Sequence, residues 1–232
     1  KLASELYKTS IGHNLYILDE PTVGLHKADI SYLLDALHNI VDNDNTVIVI
    51  EHDIDIIKEA DHIVDLGPEG GEKGGYLVVQ GDLSKLMQCE HSYTGDALKA
   101  MFDQYQSFLA QDKPQIRSAN IEFKGINTNN LKNIDVEFPL GCFICVTGVS
   151  GSGKSTLVLE TLCRALSQHI YHARIPAGTY NSVMGLEHID KLALIRVIAG
   201  IAALFEKLGD YNIAFDTAIV NDLTGRHFKS VC

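Results

Sequence analysis

The chain has 232 residues, room for one large domain or two small ones at about 100–200 residues each. Its 46 % hydrophobic and 21 % charged residues exclude a disordered or fibrous chain. The net charge of −11 lies in residues 1–100, with 18 acids against 7 bases, while residues 101–232 carry 12 of each. Such a chain lacks the broad basic face that carries nucleic-acid affinity, so DNA contact would rest mostly on surface elsewhere. The longest apolar-rich run, Leu192 to Phe205, is broken by Arg196 and falls short of the roughly 18 residues of a membrane span. The chain opens Lys1-Leu2-Ala3-Ser4-Glu5, with neither Met nor a leader pattern. It reads as cytoplasmic and as a piece of a longer chain.

In chain order, Leu15-Tyr16-Ile17-Leu18 predicts a short strand ending in two acids. Lys27 to Asp42 predicts a helix, with Leu33, Ala36, Leu37, Ile40 and Val41 on one face. Thr46 to Ile50 is apolar on both faces, as a strand covered on both sides must be. Asp53 to Ala60 predicts a short helix and His62 to Leu66 another strand. Strands alternating with helices imply a parallel sheet. The glycine-rich Gly67-Pro68-Glu69-Gly70-Gly71 and Gly74-Gly75 precede a hairpin strand at Tyr76 to Val79. Helical stretches follow at Leu83 to Met87 and Ala97 to Leu109, and Asp112-Lys113-Pro114 marks a boundary. A second unit then begins. Ile116 to Lys124 and Ile134 to Phe138 predict paired strands around an Asn-rich turn. Cys142 to Thr147 predicts a buried strand and Lys154 to Leu166 a helix. Leu194 to Leu208 is an apolar, helix-compatible run.

Gly148-Val149-Ser150-Gly151-Ser152-Gly153-Lys154-Ser155 matches the phosphate-loop pattern at every position, between a strand and a helix. Glycines let backbone N–H groups converge on phosphate oxygens, and the following helix start adds partial positive charge. Lys154 would meet the β- and γ-phosphates of ATP, and Ser155 would offer its hydroxyl to Mg²⁺. Thr156 opens the helix and completes the nucleotide-binding set. Leu15 to Leu18 ends in Asp19-Glu20, carboxylates at a sheet edge where α/β proteins bind ligands. Asp19 would hold Mg²⁺ through its shell, and Glu20 would polarise the attacking water as general base. The plainer reading is a pair of solvated strand-end acids. His52, after Thr46 to Ile50, could reach a γ-phosphate; the plainer reading is a surface histidine.

The five cysteines include Cys142 and Cys145, which read as buried thiols because no second pair completes a tetrahedral site. The ten histidines are scattered. His169 and His172 share a helix face with no carboxylate pattern beside them, and read as exposed.

Several segments carry a resemblance. Asp19-Glu20-Pro21-Thr22, Gly24-Leu25-His26, Glu51-His52-Asp53 and Ala60 to Gly71 are similar to the UvrA subunit of the bacterial UvrABC excinuclease. So are Asn130 to Ile134, Pro139-Leu140-Gly141, Thr147 to Ser155 and Gly185 to Lys191. The likeness covers about residues 1–195. The Leu-Gly-Pro-Glu-Gly-Gly and Gly-Leu-His elements separate it from transporter cassettes. The resemblance implies an α/β fold: a P-loop NTPase of ABC ATPase type, with a mainly parallel sheet and a small antiparallel β portion. It also implies ATP and Mg²⁺ as cofactors, damaged duplex DNA and a UvrB-like subunit as partners, and homodimerisation of the intact protein. Carried over, Asp19 and Glu20 are the Walker B pair and His52 the switch histidine.

The order is inverted, since in a cassette the phosphate loop precedes the acids. Residues 1–100 then read as the Walker B and switch-histidine half of a cassette and 101–115 as a linker. Residues 116–195 read as a phosphate-loop half, and 196–232 as an unassigned helical tail. The chain is either a junction between two cassettes or a circularly permuted cassette. In the second case Lys154 and Asp19 would lie within one Mg·ATP of each other. The Leu-Ser-Gly-Gly signature, the glutamine loop and the family's zinc-binding cysteine pairs are missing from the sequence, so no zinc site is expected. Two other readings remain: an ABC-type ATPase of transport or drug self-resistance, and a degenerate, non-catalytic nucleotide-binding piece. The sequence leaves open whether this chain alone turns over ATP.

Overall fold

Strand Thr46–Ile50 (β2) is buried at every position because its side chains enter two apolar layers in alternation. Ile48 and Ile50 join one layer, and Val47 and Val49 the other. The same alternation builds a two-faced sheet from strands far apart in sequence. The computed structural model describes residues 12–102 and 119–196.

The main sheet has six strands, in the order β4-β3-β7-β2-β1-β9. These are β1 (Asn14–Asp19), β2, β3 (His62–Gly67), β4 (Tyr76–Gly81), β7 (Phe143–Gly148) and β9 (Lys191–Arg196). All neighbours pair in parallel except β3 and β4. Strand β7 therefore lies between β2 and β3, although 75 residues separate it from β3 and 92 from β2. Polar contacts seal the insertion. Phe143 N donates to Asp61 Oδ2 at 2.9 Å, and Asp61 N donates to Phe143 O at 2.8 Å. Gly141 N donates to Thr46 Oγ1 at 2.8 Å.

A smaller antiparallel sheet holds β6 (Ile134–Pro139), β5 (Asn120–Ile126) and β8 (Ser182–Met184). Its Ile121, Phe123, Val136 and Phe138 bury against one face of the main sheet, with Leu157, Val158 and Leu162 of the helix after the phosphate loop. The other face is covered by α1 (Lys27–Asp42), α2 (Ile54–Ile57), α3 (Leu83–Gln88) and α4 (Tyr93–Phe102). The expected mainly parallel sheet with a small antiparallel portion is the observed architecture. Cys142 and Cys145 are buried in the core, as expected, and burial pushes the Cys145 thiol up.

Four elements differ from expectation. Helix α2 spans Ile54–Ile57 rather than Asp53 to Ala60, because Glu59 N and Ala60 N close short turns onto Ile56 O and Ile57 O before Asp61 joins β7. Helix α4 starts at Tyr93 rather than Ala97, since Ser92 Oγ caps it by accepting from Gly95 N at 2.8 Å. The rest of the predicted Ala97 to Leu109 stretch lies outside the described residues.

The helix after the loop reaches Tyr171. It is π-wound over Thr156–Cys163 before α5 (Arg164–Tyr171). Extra donors take the carbonyls that an α-helix uses internally: Thr161 Oγ1 reaches Thr156 O at 3.0 Å, and Gly178 N reaches Glu160 O at 2.9 Å. Leu194 to Arg196 is strand rather than helix, because it pairs with Ile17 to Asp19 and covers the β1 edge. The rest of that apolar run, and the boundary at Asp112 to Pro114, lie outside the described residues.

Two expected outcomes follow from this packing. Phe143 is fully buried in β7 and meets the His38 ring of α1 edge-on at 6.0 Å. Phe143→Ala is expected to cost about 3–5 kcal/mol in urea unfolding, with strands on both sides of β7 lost in one transition. His62 sits where burial lowers its pKa to about 4 from the ordinary 6.5; Lys85 adds to the shift and Asp82 opposes it. Between those pH values the unfolded chain takes up a proton that the folded chain excludes, so stability falls as pH drops through that window. Replacing His62 with Leu is expected to flatten that part of the stability–pH curve.

Candidate nucleotide-binding site

The parallel strands all end at one edge, and the chemistry-bearing residues collect there. Strand β7 ends in Gly148 and opens into the loop through Ser155. Gly148, Gly151 and Gly153 take φ of 127°, 74° and 107°, left-handed backbone that L side chains rarely adopt. A Cβ at Gly148 would lie 1.9 Å from Leu66 O, and one at Gly153 would lie 2.6 Å from Leu131 Cδ2. Gly148 is required by close backbone approach as well as by φ, Gly151 and Gly153 by φ.

Lys154 is nearly buried at 9 % exposure. Its Nζ donates to Gly148 O at 2.9 Å and Val149 O at 3.0 Å. Burial lowers its pKa, while the negative fields of Glu20, Asp65 and Asp19 oppose that shift. The two acids at the carboxyl end of β1 therefore act on the loop lysine, although 134 or more residues separate them in sequence. Ser152 Oγ is buried inside the loop and has no hydrogen-bond partner. Ser150, Gly151 and Ser155 are exposed, and Val149 is half-buried. Buried Thr156 accepts from Asn129 Nδ2 at 3.2 Å through its Oγ1. An inward lysine, an orphaned hydroxyl and a glycine cradle fit a phosphate chain.

Asp19 is half-buried at the carboxyl end of β1, two strands from β7, or about 10 Å across the sheet. Glu20 is exposed, with φ 48°, and its N–H donates to Ile50 O at 3.0 Å. That bond is the last between β1 and β2, and the left-handed backbone at Glu20 ends the strand there. His52 follows β2 with its side chain exposed. His26 caps α1, accepting from Ala28 N through Nδ1 at 3.2 Å. His169 is exposed, and His172 ends α5 in left-handed backbone. Among the described residues, no group of three or more His, Cys, Asp or Glu is placed to hold a metal ion.

Two carboxylates at this edge escaped the sequence reading. Glu51 is fully buried. It accepts from Thr22 N at 2.9 Å, Thr22 Oγ1, His52 N at 2.9 Å and Asp53 N at 3.2 Å. It ties the turn after the β1 acids to the turn after β2, and so positions both Glu20 and His52. Asp65, in β3 beside β7, is buried and accepts from Ser92 Oγ at 2.6 Å and Thr94 Oγ1 at 3.3 Å. Burial raises its pKa, and the two hydroxyls and Lys154 hold it down. The available signal was an acid inside an otherwise apolar strand, Val64-Asp65-Leu66.

Parallel sheet, phosphate loop and acidic strand ends together define an ABC-type P-loop fold. No protein-family model matches the chain. UvrABC system protein A of Clostridium acetobutylicum is 44 % identical over 192 residues, 83 % of this chain and 20 % of that protein. The same protein of Clostridium tetani is 43 % identical over 194 residues, again 83 % and 20 %. That of Bacillus subtilis is 43 % identical over 180 residues, 77 % and 18 %. A solved structure of UvrA2 from Deinococcus radiodurans is 42 % identical, covering 79 % of this chain and 21 % of that one, with a TM-score of 0.41. The chain belongs to the UvrABC system protein A family as a partial chain, spanning about a fifth of the length of the curated relatives it matches.

Glu51→Gln is expected to destabilise the chain by about 1–3 kcal/mol in urea unfolding, because an amide N–H₂ cannot accept from the N–H groups now bonded to one oxygen. Unchanged stability would mean that Glu51 does not organise the two turns.

Proposed function

We propose that this chain binds MgATP, and that it does so as part of the ATPase component of nucleotide excision repair. One observation carries the reading: β7 delivers the phosphate loop into the same sheet edge as Asp19 and Glu20, whose charges act on Lys154. In this reading Gly148 to Thr156 hold the nucleotide, with the loop amides and Lys154 on its phosphates. Ser155 and Asp19 hold Mg²⁺ jointly with the phosphates. Bound Mg²⁺ would neutralise charge on the phosphate oxygens. Glu20 accepts a proton from the attacking water, and His52 senses the γ-phosphate.

The halves 1–100 and 116–195 then work as one permuted cassette, with 101–115 as linker. The intact protein is proposed to homodimerise, to act on damaged duplex DNA and to engage a UvrB-like subunit in the cytoplasm. No helix among the described residues is long and apolar enough to cross a membrane. A second reading, nucleotide binding without turnover, is favoured by one feature: these 232 residues contain no Leu-Ser-Gly-Gly signature.

MgATP binding and hydrolysis by the 232-residue chain test both readings. Lys154→Ala is expected to weaken ATP binding by about tenfold or more, the loss of a charge-assisted contact. Glu20→Gln is expected to leave binding intact and to slow turnover by about 10²–10⁴-fold. Binding that needs Lys154 without any turnover would establish the second reading. A wild-type chain that binds no ATP would overturn both.

A further inference from the structure

The glycine-rich segment between β3 and β4 lies against the phosphate loop, backbone on backbone. A Cβ at Gly70 would stand 2.4 Å from Ser150 O. A Cβ at Gly74 would stand 2.1 Å from Glu69 O, and one at Gly75 would stand 1.8 Å from Asn130 O. Gly71 N donates to Gly151 O at 3.0 Å, and Lys132 N donates to Gly75 O at 2.8 Å. Three stretches of main chain thus lie in close contact: the 67–75 strap, the phosphate loop and the Asn130–Lys132 turn. Gly70 and Gly75 are required by that contact, and Gly74 by the Glu69 carbonyl within the strap.

Asn130 joins all three layers. Its Nδ2 donates to Gly71 O at 3.2 Å and to Gly151 O at 2.9 Å. Both partners are carbonyls, so the amide nitrogen must face them. Its Oδ1 lies where a Cβ on Gly153 would come within 3.3 Å. The Gly151 carbonyl therefore accepts from two donors, Gly71 N and Asn130 Nδ2, both outside the loop. In a trans peptide the N–H points opposite to the C=O. Fixing the Gly151 carbonyl outward fixes the Ser152 N–H inward, where it donates to Val149 O across the loop at 3.2 Å.

We propose that Asn130 and the 67–75 strap are positioning elements of the nucleotide site: they clamp the Gly151–Ser152 peptide, whose N–H closes the loop onto Val149 O, and so hold the loop in the shape that takes the phosphate. The proposal rests on the ATP-binding reading above. Each acts through the orientation of one peptide plane. The strap belongs to the first half of the chain and the loop to the second, so the clamp also makes the loop's shape depend on the two halves being docked.

The test uses the 232-residue chain with Asn130→Ala and Asn130→Asp. The first removes one of the two outer donors; the second places an oxygen against two carbonyls. Three quantities are read: ATP affinity, thermal midpoint, and amide hydrogen exchange in the nucleotide-free chain. Asn130→Asp is expected to weaken ATP affinity by roughly tenfold, and Asn130→Ala by a smaller factor. Exchange should accelerate at the Gly151, Ser152 and Gly153 amides in both variants and stay unchanged in α1. Wild-type affinity together with wild-type loop exchange in both variants would overturn the clamp. So would acceleration spread equally over α1 and the sheet, which would indicate general destabilisation. If the wild-type chain binds no ATP, the functional reading falls, and loop exchange in the free chain alone decides the clamp. If Asn130→Asp fails to fold, Asn130→Ala decides it.

Discussion

The parallel pairing of β7 between β2 and β3 is the constraint on which the rest of this structure depends. Without it, β2 and β3 would each present an open row of N–H and C=O groups, and the apolar faces of Ile48, Val49 and Val64 would lack a neighbour. With it, every interior strand is hydrogen-bonded on both sides and covered on both faces. The pairing register also decides where the chemistry goes. Leu66 stands opposite Gly148, and Ile50 lies beside Val146, so the phosphate loop opens level with the ends of its neighbours.

Backbone contact, more than side-chain contact, shapes the loop. Positive φ at Gly148, Gly151 and Gly153 turns the chain back on itself, and the Leu66 carbonyl leaves no room for a Cβ at Gly148. The helix that follows is widened, because Thr161 and Gly178 draw two of its carbonyls away from α-helical partners. Loop and helix are thereby tied to the Asn-rich turn, through Asn129 on Thr156 and Glu160 and through Asn130 on Gly151.

Electrostatics divides the acids at this edge into two kinds. Glu51 and Asp65 are buried and saturated by hydroxyl and amide donors, so they organise turns and neighbouring strands. Asp19 and Glu20 are more open, and their fields reach Lys154. A buried carboxylate with its lone pairs occupied is a poor ligand or base. A half-open one at a strand end can serve as either. Burial, which no local pattern reports, therefore separates the two acids enclosed by donors from the two left open at the edge.

Local pattern was enough to read most elements. Lys27–Asp42 and Thr46–Ile50 come out with their predicted bounds, because apolar spacing and β-branching act over a few residues. The phosphate loop was legible for the same reason: its glycines, lysine and serine do their work within one turn of chain. The start of α4 was set by a local cap at Ser92, but two other misread ends were set by distant partners. Leu194 to Arg196 became strand because β1 needed a neighbour, and Ala60 left its helix because Asp61 bonds Phe143. The sequence by itself determined which segments could carry phosphate chemistry, since that depends on residue type and spacing. Only the tertiary structure decided that Asp19, Lys154, Gly71 and Asn130 share one edge, because strand order is chosen by which edges and apolar faces can be satisfied together, and no short stretch of chain contains that choice.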